Sequence, residues 1–167
     1  HPKDATAFMQ EIMKAPDLMK SRFEAAHAYL KKQAHVDAAR IAAIGYCFGG
    51  SVALTMARGG ADLKAVATFH AGLKPVSAPA AKGIKPKILV QTGGADPFIP
   101  KEEVANFEKE MKEAGANYEM KVYATARHSF TNPDADKAGL EALKYDAAVD
   151  AESWEKLIAF LKTALAK

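Results

Sequence analysis

Apolar residues along the chain alternate between short runs and longer stretches with helical spacing. Three continuous runs and one alternating segment predict buried strands, at about residues 40–45, 65–70, 87–92 and 118–123. The helical stretches predict amphipathic helices at about residues 4–14, 17–33, 49–58 and 100–115, and over the C-terminal residues. Because helices separate the strands, we expect a mostly parallel α/β sheet in one domain that spans residues 1–167.

Two further expectations concern the surface of this domain. The C-terminal helix carries an apolar stripe that we expect to face the sheet, formed by Trp154, Leu157, Ile158, Leu161 and Leu165. Residues 73–86 are rich in Pro, Ala and Lys and are predicted to form a surface connection. His27 and His35 are predicted to lie at the surface or at its boundary.

Composition narrows the classes of function. A chain of 167 residues with 49% hydrophobic and 26% charged residues predicts one soluble globular domain. The net charge of +3 comes from Lys and Arg scattered among Asp and Glu, so we expect no nucleic acid partner. No apolar stretch approaches ~20 residues, so no membrane partner is expected. The single Cys excludes an internal disulfide and indicates no zinc-type ligand cluster, and no metal or cofactor is expected.

The strongest local signal is the stretch Gly45-Tyr46-Cys47-Phe48-Gly49 at the junction of a predicted strand and a predicted helix. It fits the nucleophile-elbow pattern, with Cys in place of the usual Ser. The small residues two before and two after Cys47 are expected to permit a sharp, strained turn. The helix N-terminus would favour the thiolate and leave the Phe48 N–H free for an oxyanion. A buried structural cysteine is an equally good interpretation of this stretch alone.

The ends of two later strands decide between these interpretations. Asp96 follows the third strand and His128 the fourth, and the carboxyl ends of parallel strands share one crevice. Alone, Asp96 could shape a turn and His128 could be an ordinary loop residue. Together with Cys47 they follow the order nucleophile, acid, histidine of a hydrolase triad. His70, a competing base that also ends a strand, precedes the acid and is assigned to the pocket wall.

Three segments carry a resemblance to a known family, namely Gly-Tyr-Cys-Phe-Gly-Gly, Thr-Gly-Gly-Ala-Asp-Pro-Phe-Ile-Pro and Arg-His-Ser-Phe. The chain resembles the dienelactone hydrolase family over essentially its whole length. This resemblance implies a three-layer α/β-hydrolase fold and a Cys-Asp-His triad. It also implies hydrolysis of a small ester or lactone without a cofactor. The Arg that binds the dienelactone carboxylate in the founding enzymes corresponds to Asn132 here, so we expect a different ester or lactone.

The resemblance also implies an N-terminal segment that the given sequence lacks. In the family this segment holds the first strands, the second oxyanion donor and a Glu near the thiol. The chain starts at His1 without an initiator Met, so we expect a truncated domain whose strand 40–45 is covered by the missing segment or by another chain. A cytoplasmic location is favoured, and a periplasmic or secreted one stays open.

Position alone suggests which residues surround the substrate. The expected pocket residues follow the predicted strands closely and are Tyr46, Phe48, His70, Phe98, Ser129 and Phe130. Two alternatives to a hydrolase stay open. The chain could be a catalytically silent binding module on a hydrolase scaffold. Cys47 could also be a redox sensor, whose disulfide would have to be intermolecular or with a small thiol.

Overall fold

A computed structural model describes residues 2–75 and 84–166 of the chain. The elements of these residues are, in order, α1 (Pro2–Met13), α2 (Pro16–Lys31), β1 (Ala42–Tyr46), α3 (Phe48–Arg58), β2 (Ala65–Phe69), β3 (Lys87–Gly93), α4 (Lys101–Glu113), β4 (Tyr118–Tyr123), a 3-10 turn (Ala135–Ala138) and α5 (Ala147–Ala164). The predicted strands and helices are therefore present, with small shifts at their ends.

The four strands form one parallel sheet in the order β1-β2-β3-β4. Strands added in sequence order through right-handed crossovers bring their connecting helices to the same face. Accordingly, α3 and α4 pack on one face of the sheet, whereas α5 packs on the other. The predicted three-layer α/β architecture is confirmed, and in it the carboxyl ends of all four strands lie along one edge.

The two central strands are buried on both faces, which explains their continuous apolar runs. The core beneath α3 and α4 includes Leu54, Val66, Ile88, Phe107 and Met111. The core beneath α5 is smaller and consists of Ala67, Phe69, Leu89, Tyr123, Ala126, Phe130 and Leu157. The loops that carry Asp96 and His128 follow β3 and β4, which contribute residues to both cores, whereas β1 packs on the core beneath α3 and α4 through Ala43.

Strand β1 lies at one side of the sheet and pairs only with β2 in the described part of the chain. Its side chains Ile44 and Tyr46 are 45% and 42% exposed. An apolar edge strand of this kind is a surface to which another strand can add. The expectation that a further segment or another chain covers residues 40–45 stays a prediction.

The predicted apolar stripe of α5 is wrong at one end. Leu157 is fully buried, but Trp154 is 52% exposed. Ser153 faces the sheet instead, since it is fully buried and its carbonyl accepts a hydrogen bond from Gln91 of β3 (3.1 Å). The indole of the next residue therefore lies toward solvent.

The predicted surface connection at 73–86 is confirmed for the exposed residues Lys74, Pro75 and Lys85, but it is wrong for Leu73 and Ile84, which are buried. Two buried charged residues bind the backbone of Leu73. Glu103 accepts its N–H (2.6 Å), and Arg58 donates to its carbonyl (2.7 Å). Arg58 is itself fixed by a two-pronged ion pair with Glu110 (2.8 Å). Residues 76–83 lie outside the described residues.

Candidate active site

Cys47 occupies the turn between the last residue of β1 and the first residue of α3, as predicted. Its φ of 50° lies in the left-handed region, which is uncommon for a residue with a side chain. Backbone hydrogen bonds on both sides of the residue hold this conformation. The Cys47 N–H donates to the Phe69 carbonyl (3.0 Å), and its own carbonyl accepts the N–H of Gly50 (3.0 Å). The turn leaves Cys47 exposed above the end of the sheet.

Two glycines make this turn possible, but they differ from the expected pair. A Cβ on Gly45 would overlap the backbone of Gly49 and Gly50, so residue 45 has to be glycine. A Cβ on Gly50 would lie 2.6 Å from the Ala71 side chain, whereas one on Gly49 would meet nothing. The expectation that the residue two after Cys47 must be small is therefore wrong. The position with no room for a side chain is Gly50, one residue later.

The side chains of Cys47, Asp96 and His128 meet at this edge of the sheet. His128 Nδ1 lies 2.8 Å from an Asp96 carboxylate oxygen, and His128 Nε2 lies 3.1 Å from the Cys47 sulfur. The other Asp96 oxygen accepts the N–H of Phe98 (2.8 Å). Asp96 therefore shapes its own turn and contacts the histidine, so the two interpretations of this residue do not exclude each other.

The backbone of His128 is fixed by a segment that the sequence did not point to. The His128 N–H donates to the carbonyl of Ala142 (3.1 Å), and its carbonyl accepts the N–H of Lys144 (3.0 Å). These bonds form an isolated parallel bridge between His128 and Leu143. The segment has no strand-like apolar pattern, so nothing in its composition identified it.

The contacts perturb the acidities of the thiol and the imidazole in opposite directions. The hydrogen bond from His128 is the strongest influence on Cys47 and lowers the pKa of its thiol below the usual 9.0, although burial opposes this. Burial disfavours the charged form of His128, but the hydrogen bonds and charges of Asp96 and Cys47 outweigh it and raise its pKa to about 9. Both shifts favour a proton on the imidazole and a negative charge on the sulfur.

Aromatic rings surround the imidazole of His128. Phe98 packs edge-on against it, with ring centroids 5.1 Å apart, and His70 packs against it at 4.9 Å. Tyr46 stacks on Phe69 (4.6 Å) and reaches to within 6.0 Å of the His70 ring. Phe98 is 55% and Tyr46 42% exposed, whereas His70 is only 3% exposed.

The remaining predicted pocket residues, Phe48, Ser129 and Phe130, differ in how deeply they are buried. Phe48 is half-buried at the start of α3, and Ser129 is half-buried with a φ of 60° directly after His128. Phe130 is fully buried in the core beneath α5, where its ring supports His70 (5.2 Å). It therefore lies beneath the candidate site. Thr131, which the sequence did not single out, contacts His70 Nε2 through its hydroxyl (3.0 Å).

Two clefts on the described surface lie away from Cys47, Asp96 and His128. A cleft of about 420 Å³ between α2 and α3 and one of about 380 Å³ beside α4 contain none of the triad residues. Within residues 2–75 and 84–166, no three His, Cys, Asp or Glu side chains are grouped to hold a metal ion. In the same residues, no helix is both long and apolar enough to span a bilayer.

A parallel sheet with a strained turn after β1, an acid after β3 and a histidine after β4 defines the class of α/β-hydrolase folds. Comparison with known proteins gives the family. The chain belongs to the dienelactone hydrolase family, whose model matches residues 1–165.

Individual relatives agree with this assignment. An uncharacterized protein of Caenorhabditis elegans is 34% identical over 155 residues, which cover 89% of this chain and 95% of the relative. The crystal structure of a dienelactone hydrolase-like promiscuous phosphotriesterase from metagenomic libraries is 34% identical, with a TM-score of 0.91 over 96% of this chain and 67% of that one. A structure named m3DLH is 36% identical, with a TM-score of 0.89 over 95% and 66%. The chain thus spans about two thirds of the length of these two structures.

Proposed function

We propose that the protein hydrolyses a small ester or lactone, with Cys47 as nucleophile, His128 as general base and acid, and Asp96 as the residue that orients and stabilises the imidazolium. One observation carries this proposal. The His128 ring joins the Asp96 carboxylate to the Cys47 sulfur through contacts of 2.8 and 3.1 Å. A base within reach of a nucleophile and oriented by a third group is the arrangement needed for covalent catalysis.

In the acylation half-reaction, the Cys47 sulfur attacks the carbonyl carbon and a C–S bond forms. His128 holds the thiol proton and passes it to the alkoxide oxygen as the C–O bond of the ester breaks. The product is a thioester on Cys47. An alcohol departs from an ester, whereas the hydroxyl of an opened lactone stays attached to the acyl group.

In the second half-reaction, His128 removes a proton from water, and the resulting hydroxide attacks the thioester carbonyl. The C–S bond breaks, the acid is released and the proton returns to the Cys47–His128 pair. The backbone N–H of Phe48 is a minor influence that lowers the pKa of the Cys47 thiol, which is consistent with a donor close to the sulfur. From the start of α3 it can serve as one donor to the oxyanion of both tetrahedral intermediates.

The surroundings of the triad favour a substrate without a carboxylate. Apart from the triad residues themselves, the described side chains that pack against His128 or His70 are Phe98, Tyr46, Phe130 and Thr131, none of which is cationic. Asn132 is exposed, and its side-chain oxygen accepts the N–H of Asp134 (3.0 Å) in its own turn. A neutral ester or lactone with an apolar or aromatic acyl group therefore fits better than an anionic one.

Relatives support the same class of reaction. A Bradyrhizobium protein, 33% identical over 116 residues, carries a name that describes a lactonase. Its match covers 64% of this chain and 46% of that protein. The metagenomic structure is named as a phosphotriesterase, so neutral phosphotriesters belong in the same substrate panel.

The test is steady-state kinetics on a panel of short acyl esters, cyclic lactones and neutral phosphotriesters. We expect Cys47→Ala to lose at least about 10³-fold in kcat/KM on the best substrate, since it removes covalent catalysis altogether. Cys47→Ser is the matched variant. It keeps the shape of the nucleophile but needs a much stronger base, so it should retain only a small residual rate.

Unchanged turnover by Cys47→Ala would disprove the mechanism. Absence of turnover on the whole panel, together with a thiol that does not react with iodoacetamide in the folded protein, would instead favour the silent binding module. A thiol that is reversibly oxidised to a mixed disulfide, again without turnover, would favour the redox sensor.

A further inference from the structure

His70 is a buried histidine immediately after β2 that the proposed chemistry does not use. Its backbone N–H donates to the Gln91 carbonyl of β3 (2.8 Å), and its φ is 38°. Its side chain is 3% exposed. A residue with a side chain stays in the left-handed region only where its surroundings hold it, and such positions cluster at functional sites. The positive φ of His70 therefore indicates a role for this residue in addition to ending β2.

The His70 ring makes three contacts with the loop that carries the catalytic histidine. It packs against the His128 ring at 4.9 Å with an interplanar angle of 62°, and against Phe130 at 5.2 Å and 86°. Its Nε2 lies 3.0 Å from the Thr131 hydroxyl oxygen. Residues 128–131 are therefore fixed to β2 through one imidazole.

We propose that His70 is a positioning residue that fixes the His128 ring for its contact with Cys47. The His128 ring is bounded by Phe98 on one side, by His70 on another and by Asp96 at Nδ1. The Phe98 ring is 55% exposed, whereas His70 is 3% exposed, so His70 is the more tightly packed of the two ring contacts. This inference rests on the proposed function, because it assigns a task to His70 within that mechanism.

The chemistry of His70 suits a positioning role and not a role as base. Its Nε2 is engaged by Thr131, and its Nδ1 is buried without a hydrogen-bond partner among the described residues. Burial, reinforced by the charge of His128, lowers its pKa to about 4. It is therefore neutral where His128 is charged, and it can lie against the imidazolium without repelling it.

The experiment compares His70→Asn and two variants of Thr131 with a matched control. His70→Asn removes the ring and suits the backbone, since Asn tolerates positive φ better than most residues. Thr131→Val removes only the hydrogen bond. His27→Asn makes the same chemical change on α2, where His27 also has a buried, unpartnered Nε2 and a ring contact with Phe23. Each protein is assayed for kcat and KM and for the pH dependence of Cys47 alkylation by iodoacetamide.

We expect His70→Asn to lower kcat on the order of tenfold with little change in KM, because a misplaced base slows the chemical step and not the binding step. The pH midpoint of alkylation should rise, because a poorly aligned His128 stabilises the thiolate less. Thr131→Val should show the same two changes to a smaller extent, Thr131→Ser should restore both, and His27→Asn should show neither.

Two results would overturn the proposal. One is an unchanged alkylation midpoint and kcat in His70→Asn, or in Thr131→Val if the first variant does not fold. The other is an equal change in His27→Asn, which would mark a general loss of stability. The alkylation readout needs no substrate. A raised midpoint in a protein that hydrolyses none of the panel would therefore support positioning while refuting the proposed hydrolase function.

Discussion

His128 and His70 are neighbouring, buried imidazoles whose pKa values are shifted in opposite directions. Their ring centroids lie 4.9 Å apart, and they are 7% and 3% exposed. The pKa of His128 is nevertheless raised to about 9, whereas that of His70 is lowered to about 4. Burial acts in the same direction on both, so the difference comes from their partners.

The partners differ in charge. His128 contacts a carboxylate at one nitrogen and a thiol at the other, whereas His70 contacts a neutral hydroxyl at one nitrogen and no described group at the other. An imidazole is thus made a base at this edge by Asp96 and Cys47, and the same low-dielectric surroundings keep its neighbour neutral. In the proposed mechanism, His128 is the group that moves protons and His70 is the group that holds it in place.

Removal of the Asp96 carboxylate should have the largest effect on the difference between the two imidazoles. Asp96→Asn cannot carry charge, and its amide would donate toward His128 Nδ1, which favours the wrong tautomer. We expect kcat/KM to fall by at least about 10²-fold, in the range that general acid–base catalysis contributes. The pKa of His128, followed by NMR titration of its ring, should fall from about 9 toward its usual 6.5.

The Asp96→Asn variant should also raise the pKa of Cys47. The direct repulsion by Asp96 is a minor influence on the thiol, and the hydrogen bond from His128 is the major one. Retention of a His128 pKa near 9 in Asp96→Asn would show that the carboxylate is not what distinguishes the two imidazoles.

A second test concerns the low pKa of His70, which should change the free energy of unfolding at acid pH by a smaller amount. The pKa of His70 is lowered from 6.5 to about 4 in the folded state, so the unfolded chain binds more protons between these values. The stability contributed by a neutral His70 is complete above pH 6.5 and is lost as pH falls toward 4. The shift corresponds to a loss of roughly 3 kcal/mol at the acid end of this window.

Denaturant unfolding across that window tests this expectation. The free energy of unfolding should fall less steeply with pH in His70→Asn than in the wild type, because Asn does not titrate. His27→Asn serves as the control for losing a histidine elsewhere. Equal slopes in the wild type and His70→Asn would show that His70 is not held neutral.

Local sequence patterns predicted the strands and the meeting of three distant residues. Continuous apolar runs marked β2 and β3 because both strands are buried on two faces. Parallel strands share one carboxyl edge, so Cys47, Asp96 and His128 could be placed together from chain order alone. The strand-to-helix turn at Cys47 was also visible, because Gly45 and the Gly49-Gly50 pair mark its ends.

Contacts between distant segments were not visible in those patterns. The exposure of Trp154 follows from the burial of Ser153 against the Gln91 amide of β3, and this polar side chain after an apolar run was the available signal. The burial of Leu73 depends on Arg58 and Glu103, whose sequence positions are typical of solvated helix faces. The His70–Thr131 contact joins residues 61 positions apart, which no local period can predict.

The most direct test of the central claim is a titration of the Cys47 thiolate by its ultraviolet absorbance, with Cys47→Ala as the blank. Cys47 is the single cysteine of the chain, so the signal has one source. The midpoint should lie below 9.0 in the wild type and rise to 9.0 or above in His128→Ala, because the hydrogen bond from His128 is the main cause of the lowered pKa. The same midpoint in both proteins would contradict a thiolate–imidazolium pair at this site.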